Sequence, residues 1–288
     1  MTTRCLFVTD LHGRTRLYEK FFNEIAERRP SAVFIGGDLL PSPMLALTYE
    51  GDLIDDFVDR YLADQMEKLR RKLKDEYPAI FVILGNDDGR SEEPLMKEVE
   101  GKGLWRYAHG RRLRLGSYDV YGYSFVPPTP FRLKDWERYD VSRYTPPGCT
   151  SPEPQRKEVS EPRSSRRYKT IQKDLANLAA SNPMEKSVFL FHTPPHDTNL
   201  DRAALDGKSI DGVPLDVNVG SIAVRRFVEQ RQPLLTLHGH VHESTRLTGA
   251  WREKIGRTHM FNGANDDSRL ALIEFVLEDL DNAMLHLL

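Results

Sequence analysis

The chain has 288 residues, 39% hydrophobic and 29% charged, with a formal net charge of −2. That length supports a full buried core, the composition excludes disordered and fibrous classes, and the near-neutral charge gives no general reason to expect nucleic acid or an acidic membrane surface as partner. The longest apolar run, AIFVIL at 79–84, is far short of the roughly 20 residues of a membrane span, no basic leader with an apolar centre is visible, and the two cysteines form no C-x-x-C pair. A cytoplasmic protein without a disulfide framework or zinc knuckle is therefore expected.

In chain order, RCLFVTD (4–10) reads as a strand and residues 16–29 as an amphipathic helix carrying Leu17, Phe21 and Ile25 at helical spacing. AVFIGGD (32–38) is a second strand, 52–77 a long helix, and AIFVILGN (79–86) a third strand. Residues 111–126 read as a hairpin around Gly116-Ser117. From 127 to about 165 the chain is rich in proline, arginine and serine without a period, which predicts an irregular, partly mobile insertion with an ordered piece near Trp136. Helix 168–180, strand 187–193, a loop at 196–219, helix 221–230 and strand 234–240 follow, and 270–288 reads as two strands around Asp281-Asn282. Apolar strands alternating with helices predict an α/β fold with a sheet covered on both faces. A single domain over 1–288, interrupted by the insertion, is expected.

The polar signals sit where strands stop. They are Asp10-Leu11-His12-Gly13, Gly36-Gly37-Asp38, Gly85-Asn86-Asp87-Asp88, His192 with His196, and His238-Gly239-His240-Val241-His242. Ligands of layered α/β folds gather outside the carboxyl ends of strands. Aspartate and histidine without thiolates suit divalent manganese, iron or zinc, and neighbouring glycines let the backbone come close to a cation. Two cations about 3.5–4 Å apart can generate a hydroxide nucleophile and clamp a phosphoryl oxygen.

The ordered set D-x-H, G-G-D, G-N-x-D, H and G-H-x-H resembles the calcineurin-like metallophosphoesterase superfamily over about residues 4–275, the insertion excepted. The stretch 219–244 is similar to small Icc-like phosphoesterases, mostly phosphodiesterases. The resemblance implies a β-sandwich of two mixed sheets flanked by helices, in four αββα layers. It implies one metal on Asp10, His12 and His242, a second on Asn86, His192 and His240, and Asp38 bridging them. It implies hydrolysis of a small phosphate ester by a metal-bridging hydroxide.

Position 87 departs from the pattern. The resemblance implies a histidine there, acting on the leaving oxygen, with Asp88 as its orienting acid; this chain has Asp87. A positioned general acid contributes about 10²–10⁴-fold. Three outcomes are open: Asp87 stays protonated and acts as the acid, Asp87 turns away to pair with Arg90, or His196 supplies the proton. A carboxylate at 87 repels a phosphodiester less than a monoester dianion, so a phosphodiesterase is expected over a monoesterase for a nucleotide or phosphoprotein. A non-catalytic binding scaffold is the other rival class, and the intact ligand set argues against it. Arg132, Arg138, Arg143 and Arg167 are read as pairing with acids of the insertion rather than gripping substrate, and His109, His238, His259 and His286 as structural. Substrate, native metals and oligomeric state are not legible.

Overall fold

The computed structural model describes residues 2–41, 56–153, 159 and 168–288. Two six-stranded mixed sheets pack face to face. The first has the order β14-β13-β1-β2-β3-β4, from β1 (Arg4–Val8), β2 (Ala32–Ile35), β3 (Ala79–Val82), β4 (Arg106–Tyr107), β13 (Ala271–Val276) and β14 (Asp279–Leu287). The second has the order β11-β12-β10-β7-β6-β5, from β5 (Arg112–Leu115), β6 (Tyr118–Tyr123), β7 (Ser187–Phe191), β10 (Leu235–His238), β11 (Arg252–Ile255) and β12 (Thr258–Asn262). β1, β2 and β3 run parallel, and so do β6, β7, β10 and β12. The carboxyl ends of both parallel sets therefore deliver the loops that carry the polar signals.

Strand alternation explains the four layers. Cys5, Phe7, Phe34, Phe81 and Phe275 of the first sheet share one apolar cluster with Val120, Val188, Leu190, Leu237 and Phe261 of the second. The intervening residues, such as Leu6, Val8, Val33 and Ile35, join Leu17, Phe21 and Ile25 of α1 (Thr15–Arg28) and Met66 and Leu69 of α2 (Asp64–Leu73). Phe189 and Phe191 likewise join Ile171 and Leu175 of α4 (Ile171–Ala179) and Val224 and Phe227 of α5 (Ile222–Arg231). Strands buried on both faces read as continuous apolar runs, which is why they are visible in the sequence.

Several elements differ from the sequence reading. A helix, α3 (Glu93–Gly101), and the short β4 occupy a stretch with no assigned element. The long helix enters through a π-helical turn, Phe57–Ala63, and its expected start at 52–55 lies outside the described residues. The loop at 196–219 holds a small hairpin, β8 (Ser209–Ile210) with β9 (Val213–Pro214). The chain reverses between β13 and β14 at Leu277-Glu278, not at Asp281-Asn282, because those two turn-favouring residues sit on an exposed edge strand where polar side chains face water. A short helix, α6 (Ser244–Thr248), follows the last of the histidine-bearing loops.

The described part of this stretch, 127–153, holds no assigned helix or strand. It is pinned by Trp136, which has no exposed surface, and by a buried Lys134–Glu137 ion pair. Residues 154–158 and 160–167 lie outside the described residues, Arg167 among them. No described helix is long and apolar enough to cross a membrane.

Candidate metal centre

Asp10 and His12 follow β1, Asp38 follows β2, and Asn86 and Asp87 follow β3. His192 follows β7 in the opposite sheet, and His240 and His242 follow β10. Each strand is held on both faces, so each loop starts from a rigid anchor. Asp10 (φ 56°), His12 (φ 47°), Asp38 (φ 50°) and His240 (φ 72°) all adopt left-handed backbone conformations. Such strain in non-glycine residues persists only where the surroundings impose it, and it concentrates at functional sites. Two glycines permit the close approach. A Cβ on Gly85 would meet Asp38 Oδ1 at 2.2 Å, and one on Gly239 would meet Asp10 Oδ2 at 2.4 Å.

The donor atoms face one another. His12 Nε2 lies 3.3 Å from His242 Nε2, which lies 3.1 Å from Asp10 Oδ1. Ligand atoms of Asp10, His12, Asp38 and His242 all fall within 4.8 Å of one another. On the other side of Asp38, His192 Nε2 lies 3.2 Å from Asp38 Oδ2 and 3.0 Å from Asn86 Oδ1. The His240 ring centroid is 5.3 Å from that of His192, and the His240 N–H reaches both Asp10 oxygens at 3.2 Å. Asp38 thus belongs to both groups.

These edges fit cation coordination. With bonds of about 2.0–2.2 Å, neighbouring donors around a tetrahedral or octahedral cation lie about 2.8–3.6 Å apart. The four edges, 3.3, 3.1, 3.2 and 3.0 Å, fall in that interval. Two unprotonated imidazole nitrogens facing each other also need a proton or a cation between them. The outer atoms are held too. His192 Nδ1 bonds the Gly36 carbonyl at 2.9 Å, which turns Nε2 inward, and the Thr9 hydroxyl donates to Asp10 Oδ2 at 2.7 Å. Thr9 is not among the sequence candidates; a hydroxyl next to a strand-end aspartate is the available signal.

Electrostatics match a site that gathers positive charge. Burial opposes ionisation of Asp38, but the His192 ring beside it wins and holds the carboxyl well below the usual range. Burial likewise opposes a charged His192, yet Asp38 pushes the ring up to about 10. Asp10 is lowered against burial by its bond to His242. His240 goes down to about 4 through burial and then the charge on His192.

Asp87 does not swing out of the site. Its carboxylate Oδ2 stands 3.4 Å from His12 Nδ1, and its backbone N–H donates to Asp38 Oδ1 at 2.8 Å. Asp88 is fully buried and accepts backbone N–H groups from Leu39, Leu40 and Gly85 at 2.8–3.1 Å. It ties the loop after β2 to the loop after β3, and among the described residues its hydrogen bonds go to backbone rather than to a catalytic side chain. The His196 ring bonds Asp216 Oδ2 at 3.1 Å, and among the described residues no hydrogen bond or ring contact joins it to the donor cluster. His238 bonds the Thr193 carbonyl and the Thr236 hydroxyl inside the fold. Arg138 pairs with Asp174 and lies over the Phe125 ring, and Arg143 pairs with Glu153. Asp174 is an acid outside the insertion, on α4, so the insertion is clamped to the body of the fold by that pair.

The family model for the calcineurin-like phosphoesterases matches residues 3–244. One solved crystal structure is 19% identical, covers 100% of this chain and 99% of its own, and superposes with a TM-score of 0.59. The protein TT1561 of Thermus thermophilus is 16% identical over 100% of this chain and 99% of its own, with a TM-score of 0.56. At these identities the likeness shows a shared fold. No curated protein sequence matches the chain.

Proposed function

The chain belongs to the calcineurin-like phosphoesterases, and on that premise we propose that it is a dinuclear metal-dependent phosphodiesterase whose cations sit on the cluster around Asp38. The observation that carries the reading is the position of Asp38 between two donor groups, Asp10, His12 and His242 on one side and Asn86 and His192 on the other, with His240 beside them. Manganese, iron or zinc bound there would supply a water-derived nucleophile at neutral pH and charge stabilisation on the phosphoryl oxygens.

The chain's own residues set the preference for diesters. Asp87 places a carboxylate where the family commonly has a histidine, and its side chain is 34% exposed at the edge of the cluster. A monoester dianion entering there meets more repulsion than a diester monoanion. A poor alkoxide leaving group also finds no imidazole at position 87 to protonate it, so good leaving groups are favoured. His196, bonded to Asp216 on a more exposed loop, makes no hydrogen bond to the donors among the described residues and has no assigned role in this mechanism.

The test is a panel of Mn, Fe, Zn, Ni and Mg against bis-p-nitrophenyl phosphate, p-nitrophenyl phosphate, cyclic nucleotides, dinucleotides and glycerophosphodiesters. Metal-dependent diester turnover well above monoester turnover is expected. Comparable turnover of the two p-nitrophenyl substrates would remove the diester preference, and two-metal binding without any turnover would favour a binding scaffold.

A further inference from the structure

The His12 ring is buried, and its two nitrogens have different surroundings. Nε2 points into the donor cluster, 3.3 Å from His242 Nε2. Nδ1 points outward, is itself buried, and makes no hydrogen bond of normal length. Asp87 Oδ2 stands 3.4 Å from it. In a neutral ring that offers Nε2 to a cation, Nδ1 carries the hydrogen, and a buried N–H without an acceptor is unfavourable.

His192 shows the same design completed. Its Nδ1 donates to the Gly36 carbonyl at 2.9 Å, and its Nε2 faces Asn86 Oδ1 and Asp38 Oδ2. Asp87 occupies for His12 the place the Gly36 carbonyl occupies for His192. It is also held there, because its backbone N–H donates to Asp38 Oδ1 at 2.8 Å. The loop after β3 is thereby fixed to the same aspartate that joins the two donor groups.

We propose that Asp87 is a positioning residue: its carboxylate accepts the Nδ1–H of His12 and so fixes the tautomer and the orientation that present Nε2 to a cation. An acceptor of this kind orients a metal-binding histidine and raises its basicity, and removing one typically costs about 10–100-fold in metal affinity. The residue that departs from the family's sequence pattern then serves the metal site and is not a substitute proton donor. This inference rests on the reading that the cluster holds two cations.

The experiment is calorimetric titration of the metal-stripped full chain with Mn²⁺, for wild type, Asp87→Ala and Asp87→Asn. The asparagine keeps a carbonyl acceptor of similar reach. Melting of the stripped proteins is compared first, and the part-exposed position leaves no large void in either variant. Wild type is expected to bind two Mn²⁺; Asp87→Ala is expected to weaken one of the two sites by about 10–100-fold and spare the other, with Asp87→Asn within about 3-fold of wild type. Unchanged affinities in Asp87→Ala would overturn the proposal, and so would equal weakening in both variants, which would assign the effect to charge alone. A wild type that takes up fewer than two Mn²⁺ would instead overturn the metal-centre reading, and this inference with it.

Discussion

Asp38 Oδ2 lies 3.2 Å from His192 Nε2, joining the loop after β2 in one sheet to the loop after β7 in the other. Apolar side chains fill the space between the two sheets, and this pair brings charge to the rim where they meet. Asp38→Asn keeps the shape and removes the charge. Metal content measured by plasma mass spectrometry is expected to fall from two equivalents to one or none. Diesterase activity should fall by about 10²-fold or more, because losing a shared donor exceeds the roughly 10–100-fold effect of losing an outer partner. Retention of both metals in this variant would show that Asp38 is not shared between two cations.

Asp87→His restores the residue the family pattern leads one to expect. A positioned imidazole is worth about 10²–10⁴-fold when the leaving group is poor. The ratio of monoester to diester turnover is expected to rise, measured with p-nitrophenyl phosphate and its bis ester at saturating metal. A ratio that does not move would show that the preference is set elsewhere, in the loops at 127–153 or 196–219.

Asp88 illustrates a role that residue type alone does not reveal. The sequence pattern implies the orienting acid of a catalytic pair, whereas its oxygens accept the N–H groups of Leu39, Leu40 and Gly85. Burial, and then the charge of Asp38, push its carboxyl up to about 7. Asp88→Ala leaves buried backbone donors without partners, at about 1–3 kcal/mol each and not additively, so a total near 3 kcal/mol is expected. Urea unfolding of the metal-stripped chain measures it. A loss of activity with unchanged stability would restore a catalytic role to Asp88.

What is legible in the sequence follows from where its information is local. Strands buried on both faces announce themselves as apolar runs, and the candidate ligands lie within a few residues of their ends, so Asp10, His12, Asp38, Asn86, His192, His240 and His242 stand out as candidates. α3 escapes the sequence reading because only Met96 and Val99 of its nine residues are buried, too few to draw a periodic stripe. The turn between β13 and β14 is misplaced because Asp281 and Asn282 have the composition of a turn and the position of an exposed edge. Pairings between distant loops are not readable at all. Whether Asp87 faces Arg90, solvent or His12 depends on how the ends of β1 and β3 come together, and whether Arg138 pairs within the insertion or with Asp174 depends on where α4 lies.

The insertion is anchored by a buried ion pair that can be broken from either side. Lys134 Nζ donates to both Glu137 oxygens, at 2.8 and 2.7 Å, and to the Thr129 carbonyl at 2.7 Å, with neither charged side chain exposed. Lys134→Met leaves the Glu137 carboxylate buried without its counter-ion, and a loss of about 3–5 kcal/mol is expected. Adding Glu137→Leu removes the stranded charge, so the double variant should be more stable than Lys134→Met alone. Urea melts at pH 8 read the cycle, and a double variant less stable than the single one would mean that the Thr129 bonds, not the charges, hold the segment.

His109 makes stability depend on acid independently of the metal donors. Its ring packs among Tyr107, Tyr123, Phe125 and Trp136, and its Nδ1 accepts the Ser124 N–H at 3.0 Å. Burial first, then the nearby Arg90 and Arg138, lower its pKa to about 3. The unfolded chain takes up this proton near pH 6.5, while the folded chain resists it until about pH 3. Between those values the unfolded state binds more protons, so stability present above pH 6.5 is lost as pH falls, by up to about 1.4 kcal/mol per unit. His109→Gln cannot take up that proton in either state. The stability gap between wild type and this variant is therefore expected to narrow from pH 6.5 towards pH 4.5 in urea unfolding of the metal-stripped chain. A gap constant with pH would show that the ring is protonated equally well in the folded protein.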